Sequence, residues 1–177
     1  MGKMRIISGF YKNREIETPG DEKTHPMGAR ERLALFNILG PDFVGLSVLD
    51  AFSGSGAIGI EALSRGAAKV AFIEKDPKAV AVIRNNLRRL GVEEGRFRVT
   101  QGDVLKAEVA TEYDVVVADP PYADFTWDMV QGLGRFLKDG GILALSHPGE
   151  ASEIAGLKLT KSRQYARAHL SIYEKVV

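Results

Sequence analysis

The chain contains no cysteine, a single tryptophan and three histidines among 177 residues. Without cysteine there is no disulfide frame, no thiolate nucleophile and no thiolate metal site. That absence predicts a cytoplasmic protein stabilised by packing alone. No apolar run approaches the ~20 residues a membrane helix requires, so no membrane partner is expected. The opening residues MGKMRIISG lack the pattern of a signal peptide, and Ile6 stands where a myristoylation site needs a hydroxyl. No cluster of histidine and carboxylate has ligand spacing, so no metal is expected either. An excess of one charge is also missing. The net charge of +1 argues against a wholesale nucleic-acid coat.

What is present fits one domain with a good core. The charges that cancel overall are unevenly placed. Lys3, Arg5, Lys12 and Arg14 run without an acid between them, and the tail carries Lys158, Lys161, Arg163, Arg167 and Lys175 against Glu174. Such runs serve equally as solvated faces or as contacts for phosphates.

RIISGFYKNREIETP predicts two short strands around a turn near Lys12 and Asn13, closed by Pro19. ARERLALFNILG predicts a helix with Leu33, Leu35, Phe36 and Leu39 on its apolar face and Gly40 at its end. Residues 1–40 therefore form a hairpin-and-helix extension, and residues 41–177 the main domain. From Leu46 onward strands and helices alternate: strands at LSVLDAF, KVAFIEKD, RFRVTQGD, YDVVVADPP and ILALSH. Helices are predicted at AIGIEALSRG, at PKAVAVIRNNLRRLG and over the whole of FTWDMVQGLGRFLKDGG. The tail LKLTKSRQYARAHLSIYEKVV alternates as a closing hairpin. This rhythm predicts an α/β fold: a Rossmann-like, mixed seven-stranded sheet with helices on both faces. Ligands of such sheets sit beyond the carboxyl ends of the strands.

There the polar residues gather. Asp50 and Ser53 follow the first strand of the main domain, Glu74 the second, Asp103 the third and Asp119 the fourth. One acid at a strand end is ordinarily a turn or cap; four in succession point to one crevice. Gly54, Gly56 and Gly59 in DAFSGSGAIG have G-x-G-x-x-G spacing between a strand and a helix, which lets backbone approach a ligand closely. Glu74 lies 20 residues past Gly54, where a carboxylate accepts from ribose hydroxyls. This much fits nicotinamide and flavin cofactors as well.

DPPY at 119–122 resembles the signature of amino-directed methyltransferases that use S-adenosylmethionine, and VLDAFSGSGAIGIEALSRGAAKVAFIEKD looks like the cofactor half of that class. RIISG, HPMGARERLALFNIL and RQYARAHLSIYEK resemble one family within it, the RsmD-type guanine-N2 methyltransferases of small-subunit (16S) ribosomal RNA. The resemblance covers nearly the whole chain. It departs where the family usually has Arg-Pro-Thr and this chain has His25, Pro26 and Met27, and where Leu33 replaces a glutamate. An acid common at the end of the fifth strand is also replaced near Ser146 and His147. The resemblance implies a class I methyltransferase fold. It places the methionine part of S-adenosylmethionine against Asp50, Ser53, Gly54 and Gly56, the ribose on Glu74 and the adenine amine on Asp103. The partner it implies is ribosomal RNA, in the small subunit or an assembly intermediate, met by a monomer.

DPPY makes chemical sense in that setting. An exocyclic amine is a poor nucleophile because its lone pair is delocalised into the ring. Acceptors aimed at its N–H groups stabilise its conversion to a tetrahedral, positive nitrogen. Asp119 and the Pro120 carbonyl are the candidate acceptors, Pro121 fixes the corner, and Tyr122 is the candidate stacking ring. The candidate RNA clamp is Lys3, Arg5, Lys12 and Arg14, with Arg163, Tyr165 and Arg167 at the border. Trp127 reads as packing and His147 as a loop residue rather than a catalyst. Competing readings are adenine-N6 methylation of DNA, methylation of a glutamine amide, a nicotinamide dehydrogenase and a non-catalytic assembly factor.

Overall fold

The computed structural model describes residues 2–20, 27–108, 110–165 and 168–176. Strands β1 (Gly2–Arg5) and β2 (Glu15–Thr18) pair antiparallel as a hairpin, and helix α1 (Ala29–Leu39) follows. The repeating part comprises β3 (Ser47–Asp50), α2 (Ala57–Ser64), β4 (Lys69–Glu74), α3 (Pro77–Leu90), β5 (Phe97–Gln101), β6 (Tyr113–Ala118), α4 (Trp127–Gln131) and β7 (Leu137–His147). Strands β8 (Leu157–Tyr165) and β9 (Ala168–Lys175) close the chain. Seven strands form one sheet in the order β5-β4-β3-β6-β7-β9-β8. The first five run parallel, and β9 inserts antiparallel between β7 and β8.

The central strands β3, β4, β6 and the second half of β7 are apolar on both sides because both sheet faces are covered there. Val48, Val70, Phe72, Val115 and Val117 face α2 and α3. Their alternates Leu49, Ala71, Ile73, Val116 and Ala118 face Val130, Leu133 and Phe136 of the α4 region. Helix α3 begins as its sequence dictates: the Asp76 side chain accepts from Lys78 N at 3.0 Å, Pro77 occupies the first turn, and Gly91 ends the helix in a left-handed conformation. A cap of this kind contributes about 1 kcal/mol.

The amino-terminal extension is packed into this core. Ile6, Tyr11, Ile16, Leu35 and Phe36 are buried in the same cluster as Ile60 and Leu63 of α2. Buried polar groups tie it down. Glu61 accepts from Ile7 N and Ser8 N, each at 2.9 Å, and Ser64 Oγ accepts from Tyr11 N at 2.9 Å. Gly9, at φ 82°, passes so close to α2 that a side chain there would strike the Ser64 carbonyl. Arg32, 1% exposed, donates to Arg5 O at 2.8 Å and lies 3.9 Å from Glu61.

Two expectations change. Leu33 is not on the buried face of α1: it is 40% exposed, and Arg32 is buried instead, where Glu61 offsets its charge and backbone carbonyls accept from its terminal nitrogens. The long helix predicted over FTWDMVQGLGRFLKDGG is only α4, followed by a 3₁₀ turn over Gly132–Phe136. Glycines at 132 and 134 weaken the helix, and β7 then starts at Leu137, five residues before the predicted start at Ile142. The pairing slips between Tyr113↔Leu137 and Val115↔Ile142, with Gly140 at φ 71° absorbing the extra residues.

Candidate active site

A cavity of ≈ 390 Å³ opens at the carboxyl ends of β3, β4, β5 and β6. Its wall includes Ser53, Gly54, Glu74, Asp103, Asp119 and Pro121, which are 68 residues apart at the extremes in sequence. Thr18, Pro19 and Met27 from the extension close one side. Apolar side chains, among them Phe52, Ile73, Val104 and Met129, make up much of the rest.

The glycine loop leaves β3 and turns into α2. Asp50, 1% exposed, accepts from Gly59 N at 2.9 Å through Oδ2, while its Oδ1 is buried without a hydrogen-bond partner among the described residues. Burial pushes the Asp50 carboxyl up to about 7, against the lowering effect of the Gly59 bond, and Asp119 and Glu74 add repulsion. Ser53 spends its hydroxyl proton on Asp50 O at 2.7 Å, and its carbonyl accepts from Gly56 N at 2.7 Å. Gly54, at φ 51°, has open space where a side chain would project, so its bare backbone borders the cavity. Gly59 serves packing: a Cβ there would sit 2.3 Å from the Phe72 ring.

Glu74 bridges the loop and α3. Its Oε2 accepts from Gly54 N at 2.8 Å and its Oε1 from Asp76 N at 2.9 Å. Asp103 accepts from Leu105 N at 3.0 Å in the turn after β5. The residues fit the S-adenosylmethionine implied by the resemblance. Open glycine backbone at Gly54 suits a close approach, and Glu74 and Asp103 suit hydroxyls and an amine. Asp50 and Gly56 are not on the wall itself, but the unpartnered Asp50 oxygen lies behind its Ala51–Ser53 stretch and suits an ammonium. The volume lies in the range of small-molecule sites.

At the end of β6 the chain turns sharply. Asp119 and Pro121 face the cavity, and Pro120 is buried at the corner between them. Burial pushes the Asp119 carboxyl up to about 6; a hydrogen bond with Ser146 opposes the rise, and Glu31 of α1 adds to it. Tyr122 begins a 3₁₀ turn over Tyr122–Asp124, and its ring is 36% exposed rather than sealed in the interior. Its hydroxyl hydrogen-bonds Ser146 Oγ. Burial is also the main reason that the Tyr122 phenol is pushed up to about 12.

Sequence reasoning did not single out Ser146 as part of the site, although the departure at that position was the available signal. Met27 and Met129 on the cavity wall were missed because nothing local marks an apolar residue as a wall. His147 is the last residue of β7, fully buried, with Nε2 2.8 Å from Ser171 Oγ and its ring stacked with Phe125 and His169. It is therefore a strand residue, not a loop residue. Trp127 packs against Phe125 and His147.

The basic residues separate into two groups. Lys3 and Arg5 lie along β1, whose Gly2 pairs with Thr18 at the cavity edge, and both meet Glu15 in ion pairs of 3.3 and 3.5 Å. Lys12 and Arg14 lie at the other end of the hairpin, where the loop docks on Ser64 at the end of α2. Arg14 reaches Arg89 O near the end of α3, a helix about 20 Å long that starts beside the cavity. Those two cations therefore face away from the cavity mouth. Arg163 is exposed on β8, near the end of the sheet that carries Asp119, because Gln164 pairs with His169 and His169 with His147. Arg167 and His25 lie outside the described residues.

Known proteins resemble this chain over most of its length. The family model described as Conserved hypothetical protein 95 matches residues 4–174. Ribosomal RNA small subunit methyltransferase D of Escherichia coli K12 is 36% identical over 145 residues, spanning 81% of this chain and 71% of that protein. The YlbH protein of Bacillus subtilis is 31% identical over 183 residues, spanning 97% and 99%. Among solved structures, the yhhF protein of Escherichia coli superposes with a TM-score of 0.86 at 29% identity over 99% of both chains. A hypothetical protein of Thermus thermophilus does so with 0.80 at 30% identity over 98% and 99%.

Proposed function

The chain belongs to the family of RsmD-type methyltransferases, which depend on S-adenosylmethionine, and on that premise we propose that it methylates the exocyclic 2-amino group of a guanine in small-subunit ribosomal RNA. The observation that carries the reading is the placement of Asp119 and Pro121 on the same cavity wall as Gly54, Glu74 and Asp103. A hydrogen-bond acceptor for an amine and a set of acceptors for a nucleoside share one chamber.

When bound, S-adenosylmethionine supplies an electrophilic methyl, the new nitrogen–carbon bond forming as its sulfur–carbon bond breaks, and S-adenosylhomocysteine leaves. Asp119 accepts a hydrogen bond from the guanine amine and favours the pyramidal nitrogen that attacks. The Pro120 carbonyl is the second acceptor, held by the proline corner without reorganisation. After transfer the nitrogen is strongly acidic, and its proton passes to the Asp119 carboxylate or to water. Tyr122 stacks on the base and holds it in line. A paired guanine cannot reach such a corner, so the substrate nucleotide is unpaired or flipped.

Arg163 and Lys3 are the cations best placed for flanking phosphates; Lys12 and Arg14 engage only an RNA long enough to wrap the extension. The amino-terminal segment up to residue 40 acts as the RNA-facing part of the molecule, and the remainder as the catalytic part. The reading is tested by offering radiolabelled cofactor to small ribosomal particles and to naked 16S RNA that lack the modification, then mapping the methylated nucleotide. Label on a guanine N2 in either substrate supports it. Label on adenine, or none on either RNA, overturns it.

A further inference from the structure

We infer that Ser146 is a positioning residue that couples Asp119 to Tyr122 through a two-bond hydroxyl relay. The inference deepens the proposed methyl transfer and rests on its assignment of Asp119 and Tyr122.

Ser146 is the penultimate residue of β7 and is 2% exposed. A buried hydroxyl costs free energy unless it is bonded, and its location explains the bonds. Strand β6 pairs with β7 through Ala118↔Leu145, so the next rung sets Asp119 opposite Ser146, about 5 Å apart between strands. Side chains alternate along β7: Ala144 packs toward α2 and α3, Leu145 toward the α4 side. Ser146 thus points to the face that carries α1 and Asp119, while His147 turns away into the ring stack of Phe125 and His169.

Proton counting fixes the direction of the relay. The β6–β7 register and the side-chain alternation bring Ser146 and Asp119 to the same face of neighbouring strands, and an ionised carboxylate only accepts, so in the relay Ser146 is the donor to Asp119. The oxygen of Ser146 is then left to accept, and the Tyr122 hydroxyl donates to it. The result is Tyr122 O–H to Ser146 O–H to Asp119. Two consequences follow from one side chain. The Tyr122 ring, exposed and carried on a short 3₁₀ turn, is held by its far end. Asp119 gains a donor that favours the ionised, accepting state. Burial and the Glu31 carboxylate of α1 oppose ionisation of Asp119, and Asp119 in turn raises the carboxyl of Asp50 and the phenol of Tyr122. Ser146 is the neighbour that acts in the other direction.

The test compares Ser146→Ala, Ser146→Thr and Tyr122→Phe with the wild type. The ligand-free protein is titrated by carboxyl ¹³C NMR, with Asp119 identified by its absence in Asp119→Asn. The relay requires Asp119 to titrate about one pH unit higher in Ser146→Ala, and to return toward the wild-type value in Ser146→Thr. In the methyl-transfer assay the acid limb of kcat/KM moves up by the same interval in Ser146→Ala. Tyr122→Phe, which leaves the Ser146–Asp119 bond intact, raises KM for RNA several-fold with an unmoved acid limb. Binding of S-adenosylhomocysteine is unchanged in all three, because neither Ser146 nor Tyr122 is on the cavity wall and neither is assigned a cofactor contact. Coincident titration of Asp119 in wild type and Ser146→Ala, or equal profiles for Ala and Thr, overturns the relay. Because the NMR titration needs no substrate, it reads Ser146 even if the methylated nucleotide proves not to be a guanine.

Discussion

Asp119 combines two demands that ordinarily conflict: it must be shielded enough to act strongly on an amine, yet ionised enough to accept. Burial sets the conflict by raising its carboxyl to about 6. Activity that needs the carboxylate is therefore complete above that value and falls as pH drops through it. The plot of kcat/KM against pH should bend near 6, and a plot flat down to pH 5 would contradict the role. Asp119→Ala should lose about 10²-fold or more in kcat, with S-adenosylhomocysteine affinity, measured by calorimetry, preserved. Asp50 behaves differently because its free oxygen faces no partner among the described residues. With a carboxyl near 7 it is partly protonated at neutral pH. A cofactor ammonium favours the ionised form, so binding near pH 7 should release a fraction of a proton. Calorimetry in buffers of different ionisation enthalpy measures that release, and Asp50→Asn should abolish it.

Helix α2 carries function at one end and architecture at the other. Its first turn receives the glycine loop, and Glu61 and Ser64, further along the helix, hold the docked loop of the hairpin. Glu61 also meets Arg32 and Arg65, with both Glu61 and Arg32 essentially unexposed. Removing one partner leaves a buried charge without compensation, so Glu61→Ala should destabilise the fold by about 3–5 kcal/mol in urea titration. Amide exchange should rise first at Ile7, Ser8 and Tyr11, whose N–H groups depend on α2. Uniform exchange across the sheet with the hairpin unaffected would refute that placement.

Across the molecule, the two raised carboxyls make stability pH-dependent in a defined direction. Both Asp50 and Asp119 have folded values above their unfolded ones, so in the interval from about 4 to about 7 the native chain binds more protons than the unfolded chain. Their contribution to stability is full below that interval and declines as pH rises through it. Asp50→Asn should therefore raise Tm more at pH 8 than at pH 5 in the ligand-free protein; a larger gain at pH 5 would show the sign to be wrong. The charge distribution gives a second molecule-wide expectation. RNA affinity should fall steeply with salt, and Arg163→Ala should flatten the slope more than Lys12→Ala does, because Arg163 lies toward the Asp119 end of the sheet and Lys12 lies at the opposite end of the hairpin.

The strand–helix alternation, the glycine spacing, the four acids at strand ends and the proline corner were all legible in order along the chain, because each depends on neighbours a few residues away. Proline fixes a torsion, glycine permits one, and periodicity of two or of 3.6 declares which face is buried. Tertiary structure alone decided that Arg32 rather than Leu33 is buried in α1, that the turn of the hairpin docks away from the cavity, and that β7 begins early. It alone brought Ser146 opposite Asp119. Each of those outcomes depends on a partner far off in sequence: Glu61 for Arg32, Ser64 for the loop, Tyr113 for Leu137 and the β6–β7 register for Ser146. A residue's burial and hydrogen bonding are set by what folding carries to it, which no local pattern encodes.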